Sequence, residues 1–149
     1  MDINWILIKQ IAILSAFFGA AAGILTIIPY IGVVSFVFVM CFMAPVVIWL
    51  LIKYGCITLD SVQKGIITGA IAGFVAFMAF SVFYVPISWL LMKFFTFSAN
   101  YGVGLMFRHS NLFLIMVIAV FMSTLSMTIN AFSGFVTYCI IDLMKSLKK

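Results

Sequence analysis

Along this chain the apolar positions form long unbroken runs, separated by a few short polar clusters. The longest run, Ile11 to Ile52, contains no charged residue, and one straight helix over it would be roughly 60 Å long, about twice the hydrocarbon core of a bilayer. The chain must therefore turn inside it. Ile28-Pro29-Tyr30-Ile31-Gly32 has the chemistry to do so: proline fixes its own φ and disfavours helix at the residue before it, and glycine accepts positive φ. The pattern predicts a hairpin of helices over about 5–28 and 33–52. Pro45 should kink the second and free a carbonyl that a neighbouring helix can approach. After the polar connection Lys53 to Lys64, Asp60-Ser61-Val62-Gln63 has capping-box spacing. Asp60 is expected to accept a bond from the first N–H groups of a third helix over about 65–92, whose last turns Pro86 should bend. An outer loop, Phe94 to Ser110, leads to a fourth helix over about 111–141.

Small and polar residues mark faces on these helices. Gly65-Ile-Ile-Thr-Gly69-Ala-Ile-Ala-Gly73 places glycine at every fourth position, on one helical face. In water each such glycine costs about 1 kcal/mol relative to alanine; in lipid the stripe is a groove into which a second helix can lie. The small-residue face of the first helix, Ala12, Ala16, Gly19, Ala20 and Gly23, is its expected mate. Gly19, Gly23, Gly65, Gly69 and Gly73 are thus the helix-packing candidates. The fourth helix carries Ser123, Ser126, Asn130, Ser133 and Thr137 at alternating spacings of three and four, a single seam. Such residues glue membrane helices together, or they can line a solute path. Asn130 stands out, because an amide in hydrocarbon needs partners for two donors and an acceptor.

Composition agrees with the pattern: of 149 residues 67% are hydrophobic and 7% charged, against about 25% charged in soluble domains. A net charge of +5 could suggest nucleic acid, but the basic residues sit at the ends of apolar segments, so no nucleic-acid partner is expected. With four crossings, Lys9, Lys53, Lys64, Lys145, Lys148 and Lys149 share one side, and Lys93 and Arg108 the other. That bias places both termini in the cytoplasm. Trp5, Trp49 and Trp89 read as interfacial anchors, and the C-terminal lysines suit anionic headgroups. Asp2 and the lack of early basic residues favour a retained first helix over a cleaved signal peptide.

Little in the chain suggests chemistry. Cys41, Cys56 and Cys139 form no paired motif, which points to neither a disulfide framework nor a zinc site. Cys56 and Cys139 lie near membrane boundaries where palmitoylation is chemically open. His109 is the chain's single histidine, without partner ligands, and reads as a loop residue. Gly102-Val103-Gly104 lacks the strand before it and the Lys-Ser/Thr after it that a phosphate loop requires. Asp60 has no second acid or nucleophile beside it and reads as a cap. No cofactor, metal or catalytic residue is expected.

The Gly19-Ala-Ala-Ala-Gly23 to Pro29-Tyr30-Ile31-Gly32 hairpin, followed by Gly65 to Phe74, resembles small uncharacterised prokaryotic membrane proteins with a glycine-rich four-helix plan. The resemblance covers about the first half of the chain and implies an architecture, with no activity attached. A proton-exchanging multidrug exporter would need an acid inside a span, and a membrane disulfide enzyme would need paired cysteines; neither is present. A faint echo between Gly19 to Lys53 and Gly69 to Lys93 would, as a true repeat, hint at a transporter-like duplication. The expectation is a single all-α, polytopic membrane domain of four transmembrane helices in a glycine-packed bundle, in a prokaryotic inner membrane. It would act without catalysis, as an accessory subunit or self-associating scaffold, with lipid, itself or another membrane protein as partners. The alternative is a small channel or carrier for a neutral or weakly charged solute, lined by Asn130 and the Ser/Thr row.

Overall fold

The computed structural model describes residues 5–28, 30–95 and 112–147. Within them the chain is all-α, in the order α1 (Trp5–Leu25), α2 (Ile31–Cys41), α3 (Met43–Lys53), α4 (Val62–Phe95) and α5 (Leu112–Ser146). α1, α4 and α5 are each long and apolar enough to cross a membrane, and α2 with α3 makes a further such length, bent by 67°. These helices are compatible with an integral membrane protein. Pro29 and the stretch around Gly102, Arg108 and His109 lie outside the described residues.

The second predicted helix is broken in two rather than kinked. Pro45 has no N–H, so the carbonyl of Cys41 loses its intrahelical donor, and the proline ring crowds that same carbonyl. The chain opens one residue later, at Phe42, with φ −112° and ψ 0°. Two other local expectations are corrected. Positive φ in the first turn falls on the exposed Tyr30, at 70°, while Gly32 lies inside α2, where a Cβ would stand 2.8 Å from the backbone oxygen of Thr26. α4 begins at Val62, and the hydroxyl of Ser61, not Asp60, accepts the Lys64 N–H, at 3.4 Å. Pro86 lies within α4, which continues to Phe95.

α4 is the central strut, and its glycine stripe does not face α1. A Cβ at Gly65 would meet the backbone of Gly134 at 2.8 Å, one at Gly69 would collide with the backbone oxygen of Asn130, and one at Gly73 would meet that of Ser126 at 2.5 Å. All three partners are on α5, which therefore runs antiparallel to α4. The glycines of α1 meet a different part of α4: Gly19 lies against the backbone of Ala76 and Gly23 against that of Phe80, 2.7 Å from a Cβ to its oxygen. α1 and α4 are therefore parallel. Gly73 and Ala76 point about 60° apart around the helix axis, so one helix serves two partners with neighbouring stripes. Ile11, Val39, Met43, Val47, Phe77 and Phe80 belong to the main apolar cluster, with Phe36 edge-on to Phe77 at 5.8 Å.

Candidate functional site

The polar row of α5 converges on the break between α2 and α3. A helix end leaves carbonyls without donors, and a helix start leaves N–H groups without acceptors; inside a membrane no water satisfies them. Asn130, fully buried, serves both. Its Oδ1 accepts the N–H of Ala44 in the first turn of α3, at 2.9 Å. Its Nδ2 donates toward the carbonyls of Val39 and Met40 at the end of α2, at 3.1 and 2.9 Å. The Ala44 contact fixes which end of the amide is oxygen, since a flipped amide would set donor against donor.

The rest of the row divides into two groups. Ser133 Oγ donates to the carbonyl of Cys41 at 2.8 Å, the acceptor that Pro45 leaves without its helical partner. Ser126 Oγ lies 3.1 Å from the carbonyl of Gly73 and 3.4 Å from that of Val39, and Asn130 Nδ2 lies 3.2 Å from the same hydroxyl. These three residues reach across to other helices, with Asn130 Nδ2 also 3.0 Å from the carbonyl of Ser126 in its own helix. Ser123 and Thr137 instead bond back to their own helix, at the carbonyls of Ala119 and Ser133, both at 2.7 Å.

Room for Asn130 comes from α4. A Cβ on Gly73 would stand 2.6 Å from Asn130 Cβ and 2.9 Å from its Nδ2, so a side chain there would displace the amide. Gly134, absent from the sequence-based candidates, completes the seam: a Cβ on it would collide with the backbone oxygen of Gly65. A signal for it exists, because Ser126, Asn130 and Gly134 repeat the four-residue spacing of Gly65, Gly69 and Gly73. Backbone this close also allows weak Cα–H···O contacts between the helices.

In the connection between α3 and α4, Asp60 accepts bonds from the Thr58 hydroxyl at 2.8 Å and the Lys64 ammonium at 3.3 Å. The Thr58 hydroxyl first, then Lys64, hold its carboxyl below the ordinary value of 3.8. Cys41 is half-buried, whereas Cys56 and Cys139 are exposed. Among the described residues no group of three or more His, Cys, Asp or Glu is placed to hold a metal ion. Compared with protein-family models, with curated proteins and with solved structures, the chain finds no match.

Proposed function

We propose that this chain is an integral membrane protein of four crossings, with both termini in the cytoplasm of a prokaryotic inner membrane. It acts without catalysis, through helix packing, as an accessory subunit or self-associating scaffold. The observation that carries the reading is the use of the α5 polar row. Ser126, Asn130 and Ser133 make hydrogen bonds to backbone groups of α2, α3 and α4, and Asn130 makes others within α5, so the most conspicuous polar residues serve the architecture. Support for four crossings comes from helix direction. α1 and α4 are parallel, so the segment between them must return the chain to its starting side; a re-entrant α2–α3 would leave them antiparallel.

Two measurements test this. With Lys9, Lys53 and Lys64 on the cytoplasmic side, an impermeant thiol reagent should label Cys56 in inside-out vesicles and not in intact cells; labelling in intact cells overturns the topology. The mass of particles extracted in native nanodiscs should exceed one chain, and a strictly monomeric particle overturns the scaffold role. One feature favours the carrier reading: two half-helix ends meet within a bent span, an arrangement carriers use to hold ions and solutes. Solute flux into proteoliposomes that Asn130→Leu abolishes while the protein stays folded would establish it instead.

A further inference from the structure

All three tryptophans of the chain open the same five-residue pattern: Trp5-Ile-Leu-Ile-Lys9, Trp49-Leu-Leu-Ile-Lys53 and Trp89-Leu-Leu-Met-Lys93. A spacing of four puts both side chains on one helical face, and each ammonium lies over its indole, 5.5, 5.0 and 4.7 Å from the ring centroid. The pairs occupy the start of α1, the end of α3 and the last turns of α4, where a spanning helix leaves the hydrocarbon. Their rings are open to the surroundings, at 66%, 59% and 47% exposure.

We propose that each Trp–Lys pair is a seat for the phosphodiester of an anionic phospholipid, an inference that rests on the membrane reading above. Tryptophan settles at headgroup depth, with its ring toward the acyl chains, and its indole N–H is a donor with no acceptor of its own. The ring engages one side of the ammonium; the other N–H donors are free to meet phosphate oxygens. Holding the lysine over the ring also removes much of the side-chain freedom that binding would otherwise cost. A zwitterionic lipid fits less well, because its own cationic group competes with lysine for the indole face. Lys64 provides the contrast, since its charge is already answered by Asp60 at 3.3 Å. Among the described residues, Lys53 and Lys93 have no carboxylate within ion-pair distance. In the four-crossing arrangement two seats face the cytoplasmic leaflet and one the outer leaflet.

The test uses the full chain, reconstituted in equal parts phosphatidylcholine and phosphatidylglycerol, gently extracted, and analysed for retained lipid by native mass spectrometry. Phosphatidylglycerol should be enriched among the retained lipids. Lys53→Gln and Lys93→Gln should each weaken binding at one seat about fivefold, the effect of one basic residue near an anionic surface. Trp49→Leu, which keeps the charge, should also weaken it, and Lys64→Gln should not. Equal retention of the two lipids, an equal loss with Lys64→Gln, unchanged retention with Trp49→Leu, or displacement by inorganic phosphate would each overturn the proposal. Unfolding in phosphatidylcholine alone should match the parent for Trp49→Leu, Lys53→Gln and Lys93→Gln, because those side chains are exposed. Alkaline washing separates the two readings: a chain released from the vesicles refutes the membrane assignment, whereas one that stays embedded without selecting phosphatidylglycerol refutes only the lipid seats.

Discussion

α4 is held on two sides by close backbone contact, and the two seams are built differently. Toward α1 the glycines are all on the partner: Gly19 and Gly23 let α1 settle on the backbone of Ala76 and Phe80, and the main apolar cluster lies around them. The buried Ser15 hydroxyl, one turn before Gly19, has no hydrogen-bond partner among the described residues. Toward α5 glycine is mutual where Gly134 packs against Gly65 and Gly69, and stays on α4 alone where Gly73 meets Ser126 and Asn130. The second arrangement leaves α5 free to carry polar side chains that pass α4 and reach the α2–α3 break. The first seam therefore holds two helices together by packing; the second also completes the hydrogen bonding of a third, broken one. Damage to the second should spread further.

The largest effect is expected from filling Gly69. Its Cβ would collide with the backbone oxygen of Asn130, which cannot yield as a side chain can, so Gly69→Leu should cost about 3 kcal/mol and Gly69→Ala somewhat less, in the range of overpacked cores. Gly19→Ala meets backbone too, at Ala76, yet should cost less than Gly69→Ala, because α1 can shift without releasing Asn130. Unfolding of the purified variants in detergent measures both. A more stable Gly69→Leu would mean that the stripe faces lipid, and equal costs for Gly19→Ala and Gly69→Ala would erase the distinction between the seams.

Asn130→Leu comes next. Hydrogen bonds between membrane helices average about 0.6 kcal/mol and reach about 1.7; here one residue serves Ala44, Val39 and Met40 together, so the loss should lie near the top, about 2 kcal/mol. Amide exchange gives a local readout, with the Ala44 N–H losing protection first. A cost below about 0.5 kcal/mol, inside the scatter of ordinary surface substitutions, would mean that the break satisfies itself and the two seams are alike.

How far these seams could be read from sequence differs in the same way. Periodicity showed the stripe Gly65, Gly69, Gly73 and the row from Ser123 to Thr137, since both depend only on positions along one helix. It could not pair them, because the small residues of α1 and those of α5 offer the same complement to a glycine groove. The nearer helix in sequence was the expected mate, and the structure has α5 there. Pro45 signalled a freed carbonyl, but whether a proline kinks or breaks a span depends on what the neighbours supply, and Asn130 and Ser133 belong to a helix some ninety positions away. Gly134 continues the four-residue spacing of Ser126 and Asn130, but its role as a packing glycine is set only by Gly65 across from it.

The smallest effect separates two serines of the same row. Ser133 Oγ donates to the carbonyl of Cys41, which Pro45 deprives of its helical N–H; Ser133→Ala should leave that carbonyl bare and cost about 0.5 to 1 kcal/mol. Ser123 is more deeply buried, but its hydroxyl bonds the carbonyl of Ala119 in its own helix, an acceptor that the helical ladder already serves. Ser123→Ala should therefore be close to neutral, since alanine is the better helix former and no acceptor is abandoned. Burial alone predicts the reverse order. An isotope-edited amide I band of carbonyl-labelled Cys41 adds a direct readout: it should move to higher frequency in Ser133→Ala and stay in place in Ser123→Ala. If Ser123→Ala proved the more costly change with the Cys41 band unmoved in both, the row would be acting through packing, and the hydrogen-bonded character given to the α5 seam would be wrong.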